Sequence, residues 1–241
     1  MIPKIIHYCW FGRGKMPDLA ERCIKSWEKY CPDYEFMLWN EDNFDIMASN
    51  EYVREAYENK KYAFVTDYVR LYALTRFGGV YMDTDVELVG PLDRFLSHAA
   101  FSGFEEDGWI PTGLMACEAN FPLFVEFLHY YDDISFKKLD GTLDMTTNTV
   151  IMTQIAMKYG LVCNGKFQVV NGFTLYPKEF FCPLENATGR LNKTNETVAI
   201  HWFSKSWLPA EIRYRTKITR LFHRLFGINC FSGLKQILKK K

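Results

Sequence analysis

Residues 4–9 form a short β-branched apolar run that gives way to Trp10-Phe11-Gly12-Arg13-Gly14, a pattern that predicts a strand followed by a glycine-containing loop. From 17 to 30, Leu19, Cys23, Ile24 and Trp27 recur at helical spacing behind Pro17, so a helix is expected there. Residues 34–39 read as a second strand, and Asn40-Glu41-Asp42-Asn43 as a polar turn. One long helical pattern covers 51–77, with Phe64, Tyr68, Leu71 and Leu74 on a single stripe, and Gly78-Gly79 closes it. Val80-Tyr81-Met82 is a buried-type strand that ends in Asp83-Thr84-Asp85, and strand character resumes over 86–89. This alternation implies an α/β sheet with parallel strands. In open sheets of that kind ligands bind beyond the carboxyl ends of the strands, where Trp10 and Asp83 both fall. Past residue 99 the pattern is less regular. It gives strands near 101–104, 110–116 and 198–203, and helices over 122–131, 149–159 and 213–241. With no internal repeat and no low-complexity linker, the expected organisation is one catalytic domain, 1–212, and a basic amphipathic helical extension, 213–241.

Composition changes this picture in two places. The 241 residues are 48% hydrophobic, enough for one sizeable core, and 17% aromatic, which can both fill a core and line a pocket for flat rings. The formal net charge of zero conceals an asymmetry: residues 213–241 hold nine Lys or Arg and no Asp or Glu, which leaves the remainder at −9. An acidic body with a basic tail excludes nucleic acid as the expected partner and points the tail at an anionic membrane surface. A helix packed on the domain with a solvated lysine end is the alternative of equal weight. Seven irregularly spaced cysteines without a C-x-x-C pair fit reduced thiols in a cytosolic protein and give no zinc pattern. The amino terminus runs directly into a strand with no secretory leader, and no apolar run reaches transmembrane length. A cytoplasmic protein, peripheral on the inner face of the cytoplasmic membrane, is therefore expected. Asn186, Asn192 and Asn195 then stand in chance glycosylation sequons.

The candidate chemistry centres on Asp83-x-Asp85. Two carboxylates one residue apart resist joint burial, and at a strand end they can converge on Mg²⁺ or Mn²⁺, hard cations commonly shared with substrate phosphates. Taken alone, a D-x-D is more often a solvated loop. Its context adds Asp67-x-x-Arg70 on the preceding helix, where the i, i+3 spacing puts both charges on one face of an otherwise apolar element. They form a structural ion pair, or they serve a ligand, Asp67 accepting from sugar hydroxyls and Arg70 donating to phosphate or sugar oxygens.

The run Phe64-Val65-Thr66-Asp67-Tyr68-Val69-Arg70-Leu71-Tyr72-Ala73-Leu74 through Gly78-Gly79-Val80-Tyr81-Met82-Asp83-Thr84-Asp85 resembles the sugar-binding D-x-D region of glycosyltransferase family 32. That family includes yeast mannosyltransferases and bacterial capsule and lipopolysaccharide transferases, and the run is also similar to the clostridial glucosylating toxins. Ile6-His7-Tyr8-Cys9-Trp10-Phe11-Gly12 resembles the opening strand of the same families, so the likeness spans about residues 2–95 and weakens toward Trp207. The resemblance implies a GT-A fold, a Rossmann-like mixed sheet flanked by helices. It further implies a nucleotide-sugar donor, a divalent cation (usually Mn²⁺, otherwise Mg²⁺) and retention of anomeric configuration. By position, Trp10 would stack on the base, Asp67 and Arg70 would hold the donor sugar, and Tyr81 would shape the donor pocket. Asp83 would contact the ribose and the metal region, and Asp85 would ligate the metal directly. His201, in His201-Trp202-Phe203-Ser204-Lys205-Ser206-Trp207, is the candidate third ligand, with a packed strand-end histidine as the even alternative. Lys205 would neutralise the diphosphate, and Trp207 and Asn148 complete the candidate donor contacts.

The activity expected from this is hexosyl transfer from a nucleotide sugar, with a UDP-sugar favoured over GDP-mannose, to a glycan acceptor, lipid-linked as in capsular polysaccharide or lipopolysaccharide synthesis. A toxin-like transferase acting on protein is the nearest competitor. A metal-dependent phosphodiesterase would need more acidic or histidine ligands and a basic groove, which the acidic body does not favour. A decayed carbohydrate-binding protein is opposed by the intact Asp67, Arg70, Asp83 and Asp85.

Overall fold

The computed structural model describes residues 1–206, 208 and 210–231. Its first third follows the sequence pattern closely: β1 (Ile5–Cys9), α1 (Asp18–Tyr30) and β2 (Glu35–Trp39). The long helix expected over 51–77 is two helices, α2 (Glu51–Glu58) and α3 (Tyr62–Phe77). The break falls at Asn59-Lys60-Lys61, where Lys60 takes a left-handed φ of 56° and the Lys61 N–H bonds back to the carbonyl of Ala56. α3 is buried on nearly all sides, not along one stripe: Val65, Val69 and Ala73 are as inaccessible as Leu71 and Leu74. It stops at Gly78, whose φ of 65° suits glycine and whose N–H reaches the Leu74 carbonyl at 2.8 Å.

There follow β3 (Gly79–Met82), β4 (Val86–Leu88), β5 (Ala100–Gly103), β6 (Leu114–Cys117), α4 (Pro122–His129), α5 (Asn148–Met157), β7 (Gln168–Val170), β8 (Phe173–Tyr176), β9 (Ala199–His201) and α6 (Ala210–Phe226). Seven strands form one sheet in the order β2-β1-β3-β6-β5-β8-β7. The pairs β2-β1, β1-β3 and β5-β8 are parallel, whereas β3-β6, β5-β6 and β7-β8 are antiparallel. The sheet is therefore mixed, as the family resemblance implies, and not the uniformly parallel one that the strand–helix alternation alone suggests.

Alternation along the strands feeds a core on each face. Tyr81, Met115, Cys117 and Ala100 join the side that holds α3, α4 and α5. Val80, Met82, Ala116 and Phe101 join the side that holds Trp27 and Cys23 of α1. All seven cysteines are free, and Cys9, Cys23, Cys31, Cys117 and Cys182 are buried.

β4 does not continue the main sheet. It pairs antiparallel with β9 in a separate two-stranded ribbon, with Val86 opposite His201 and Leu88 opposite Ala199. This ribbon brings the late segment at 199–204 onto the Asp83–Asp85 turn.

Candidate active site

Asp83 leaves β3 with its N–H on the Gly113 carbonyl at 2.8 Å, and its own carbonyl accepts from Val86 at 2.9 Å, so 83–86 is a tight turn that presents both aspartates at the strand end. Oδ1 of Asp83 accepts from the Tyr81 hydroxyl at 2.7 Å and from Arg70 Nη2 at 3.3 Å. The same Nη2 lies 3.3 Å from Asp67 Oδ1, one helical turn back on α3. Arg70 is 4% exposed, and it spends its remaining donors on carbonyls: Nη1 on Thr112 at 2.9 Å and Nε on Thr66 at 3.3 Å. Its guanidinium also stands 4.8 Å from the centre of the Tyr81 ring. A buried cation this fully engaged is a fixed positive pole. Burial alone would weaken its hold on the proton, but the charges of Asp83 and Asp67 raise it above the ordinary arginine value. Asp67 responds to burial more than to its partner, and its carboxyl is pushed up to about 6.

Asp85 faces the ribbon. Its Oδ1 is 3.3 Å from His201 Nε2, and its Oδ2 accepts the Ser204 N–H at 2.7 Å. Burial pushes this carboxyl up, but His201 and the Ser204 bonds outweigh burial and hold it below the usual carboxylate range. His201 is likewise desolvated, yet Asp85 lifts the imidazole well above its ordinary value. Phe203 packs against the imidazole, ring centres 4.2 Å apart and planes tilted by 32°. Phe203 and Lys205 both take left-handed φ angles, 49° and 52°, on either side of Ser204. For a bulky residue such as Phe203 that conformation is strained.

One ligand atom each from Asp83, Asp85 and His201 lies within 4.8 Å of the others. His201 Nδ1 is buried and finds no hydrogen bond of good geometry, with the Cys182 thiol alongside as a weak neighbour. The imidazole, whose Nε2 faces Asp85, and the two carboxylates together offer nitrogen and oxygen ligands that fit a divalent cation of the Mn²⁺ or Mg²⁺ type. Room for an ion depends on Gly113: a Cβ there would stand 3.0 Å from the imidazole and 3.4 Å from Asp83 Oδ2.

The expected site residues therefore fall into groups. Asp67, Arg70, Tyr81 and Asp83 are one bonded network, and Asn148 joins it from the first turn of α5. The Asn148 N–H meets Asp67 Oδ2 at 3.3 Å, and Nδ2 donates to the Asp67 carbonyl at 2.9 Å and to the Tyr131 hydroxyl at 3.0 Å. Its Oδ1 is buried without a partner. Asp83, Asp85 and His201 form the second group. Trp10 stands apart, half-buried in the loop after β1, its Nε1 donating to the Gly14 carbonyl at 2.6 Å; β1 and β3 are parallel neighbours, so it shares the carboxyl edge with Asp83. Lys205 is turned toward α6, where burial and the nearby Arg220 lower its affinity for a proton. Trp207 lies outside the described residues. Sequence reading missed Gly113, Thr112, Tyr131, Phe203 and Ser204. Pro111-Thr112-Gly113 is a turn signal that marks the first two, but nothing local announces that a backbone N–H at 204 will hold Asp85.

Residues 17–102 match a family model described as the glycosyltransferase sugar-binding region containing DXD motif, a span that includes Asp67, Arg70, Tyr81, Asp83 and Asp85 and stops short of Asn148 and His201. The mannosyl phosphorylinositol ceramide synthase CSH1 of Saccharomyces cerevisiae is 27% identical over 195 residues, covering 75% of this chain and 51% of that protein. The inositol phosphoceramide mannosyltransferase 3 of Schizosaccharomyces pombe is 27% identical over 142 residues, covering 56% of this chain and 38% of that protein. The chain thus spans about half, or less, of the length of these curated relatives. The solved apo form of the glycosyltransferase GlyE from Streptococcus pneumoniae TIGR4 superposes with a TM-score of 0.51 at 8% identity, over 98% of this chain and 64% of that one. The fold is GT-A, and residues 17–102 are similar to the DXD-containing sugar-binding region of glycosyltransferases.

Proposed function

We propose that this protein is a metal-dependent, retaining glycosyltransferase that moves a hexose from a nucleoside diphosphate sugar to a lipid-borne glycan acceptor. The observation that carries the proposal is the meeting of Asp83, Asp85 and His201 at the end of β3, inside and beside the family's sugar-binding region. Those three residues would hold a Mn²⁺ or Mg²⁺ ion, which when bound acts as a Lewis acid toward the departing diphosphate. Arg70 keeps the carboxylates of Asp67 and Asp83 in place and supplies fixed positive potential without reorganising. Asp67 and Asn148 line the donor-sugar side, where the unpartnered Oδ1 of Asn148 accepts a hydroxyl. Trp10, on the same sheet edge, stacks on the base, and Lys205 reaches the diphosphate by turning away from α6. The Asp67 and Asp83 carboxylates are already engaged by Arg70, Tyr81 and Asn148, so neither is offered as a nucleophile. Retention then follows from attack on the face that the diphosphate leaves. The acceptor oxygen bonds to the anomeric carbon as the bond from that carbon to the phosphate oxygen breaks, and the hydroxyl proton passes to the diphosphate.

The printed names of the relatives specify mannosyl transfer to an inositol phosphoceramide. They favour a mannosyl donor over the UDP-hexose expected from sequence, and they favour an acceptor carried on lipid. A peripheral position on the cytoplasmic membrane is supported by α6. Among the described residues no helix is long and apolar enough to cross a membrane. α6 instead leaves Tyr214, Ile218, Leu221, Phe222 and Leu225 exposed along one side, next to the exposed Arg213 and Lys217.

The test is donor hydrolysis without acceptor, screened over GDP-mannose and the UDP-hexoses with and without Mn²⁺. One donor is expected to be hydrolysed only with the metal, and Asp85→Asn to lower the rate by at least about 100-fold; the metal-free variant should melt lower, since His201 loses its charge partner, but keep its far-UV circular dichroism spectrum at 25 °C. Hydrolysis that survives excess chelator, or full activity in the variant, would remove the metal site from the reaction.

A further inference from the structure

On the far side of Phe203 from His201 lies a cleft of about 150 Å³, lined by Glu105, Glu106, Trp109, Asn186 and Phe203. Its volume is that of about five waters at ~30 Å³ each, the scale of one monosaccharide unit and too small for a nucleotide. The chemistry of the lining is that of a sugar site. Two aromatic side chains can cover the C–H face of a pyranose, and two carboxylates and an amide can take its hydroxyls.

The cleft is fixed in place from three directions. Glu105 and Trp109 close their own turn, the Glu105 N–H donating to the Trp109 carbonyl at 2.9 Å and the Gly108 N–H to the Glu105 carbonyl at 3.2 Å. Phe203 is the wall shared with the cation site, packed against His201 and held in its left-handed conformation between Trp202 N–H on the Asp85 carbonyl at 3.0 Å and Ser204 N–H on the Asp85 carboxylate. Asn186 is clamped by α6: Arg220 Nε donates to its carbonyl at 2.9 Å and Nη2 to its Oδ1 at 3.2 Å. A strained aromatic residue that touches a metal-ligand histidine on one side and a polar cleft on the other is the expected joint between two substrate sites.

We propose that this cleft is the acceptor subsite, and that it binds the sugar or cyclitol ring whose hydroxyl attacks the donor. The assignment rests on the glycosyl-transfer reading and adds to it the residues that choose the acceptor: Trp109 and Phe203 as the stacking walls, Glu105 and Glu106 as the hydroxyl acceptors. The ring enters past Phe203, so its reacting oxygen arrives next to the donor carbon held over Asp83 and Asp85. The clamp on Asn186 ties one wall of the cleft to α6, so the helix proposed to lie on the bilayer also supports the site that receives a lipid-borne ring.

The experiment uses the full chain with Mg²⁺ and four probe ligands: methyl α-mannoside, methyl β-galactoside, methyl β-glucoside and myo-inositol. Binding is followed by saturation-transfer NMR. Trp109→Ala and the size-conserving Glu106→Gln are compared with wild type, and their melting curves are recorded to confirm folding. At least one probe is expected to bind the wild type, with affinity reduced about tenfold in each variant and donor hydrolysis reduced by less than binding. No binding of any probe to wild type, binding unchanged in both variants, or hydrolysis falling in step with binding would each overturn the assignment. Probe binding that depends on Trp109 in a protein that hydrolyses no nucleotide sugar would uphold a sugar cleft and remove the transferase reading, so the two can fail separately.

Discussion

A methyl group added at Gly113 would stand 3.0 Å from Cε1 and Nδ1 of His201, closer than nearly all side-chain contacts in proteins, and 3.4 Å from Asp83 Oδ2. The imidazole cannot retreat easily, because Phe203 covers one of its faces at 4.2 Å. Gly113→Ala is therefore expected to displace His201 from Asp85 and weaken Mn²⁺ binding about tenfold or more, the scale of disturbing a metal site's supporting contacts. A Mn²⁺ titration of donor hydrolysis reads this directly, and an unchanged half-saturating concentration would rule out His201 as a ligand. Arg70 makes the complementary point. Its forked donors reach Asp67, Asp83, Thr112 and Thr66 together. A lysine ammonium cannot reproduce that geometry, so Arg70→Lys is not a conservative change here. The Asp67–Arg70 pairing was readable from i, i+3 spacing. The contact of Arg70 with Asp83, and the dependence of His201 on a glycine, were not, because both join segments distant in sequence.

His7 shows how elements are joined. It sits on β1, fully buried, with Nε2 donating to the Gly78 carbonyl at the end of α3 (2.8 Å) and Nδ1 accepting from Trp39 Nε1 of β2 (3.2 Å). Those partners assign the neutral tautomer with its proton on Nε2. Burial pulls its pKa down to about 4, only partly offset by the Gly78 bond. The folded value lies below the unfolded one of about 6.5, so this contribution to stability is complete above that pH. It is lost as pH falls through the window toward 4, by up to about 1.4 kcal/mol per pH unit. Urea unfolding at pH 7 and 4.5 should show that loss, and His7→Gln should flatten it; equal pH dependence in both proteins would assign the effect to other groups. At this scale the sequence was readable where periodicity is local: β1, α1, β2 and β3, and the C-terminal end of α3, appear within a residue or two of expectation. The β7–β8 hairpin was overlooked, although Val169-Val170-Asn171-Gly172-Phe173-Thr174 carries its signal. Asn171 and Gly172 both take positive φ, 48° and 81°, as a two-residue hairpin turn requires. The division of α2 from α3 had only Asn59-Lys60-Lys61 to announce it, and residues 110–113, expected as strand, are the approach to β6.

Across the whole molecule, both readings of the basic tail meet in α6. One side docks: Arg220, His223 and Arg224 bond to carbonyls of residues 186–189. The opposite side leaves Tyr214, Leu221 and Leu225 more than half exposed. The continuation over 232–241, including the final lysines, lies outside the described residues. If the exposed side meets lipid, the protein should sediment with vesicles containing phosphatidylglycerol and not with pure phosphatidylcholine, and added salt should weaken the association. Replacing Leu221 and Leu225 together by Gln should reduce binding by about tenfold or more, since each buried leucine contributes roughly 1.5–3 kcal/mol. Equal sedimentation of wild type and variant would point away from that face. The β4–β9 ribbon carries a further consequence for how the protein comes into being. It is the connection that sets His201 against Asp85, across a separation of more than a hundred residues. During synthesis the aspartates leave the ribosome long before their histidine, so the three-residue group at the turn is incomplete until β9 docks. An ion bound by the three residues, as proposed, would then favour the completed fold by mass action.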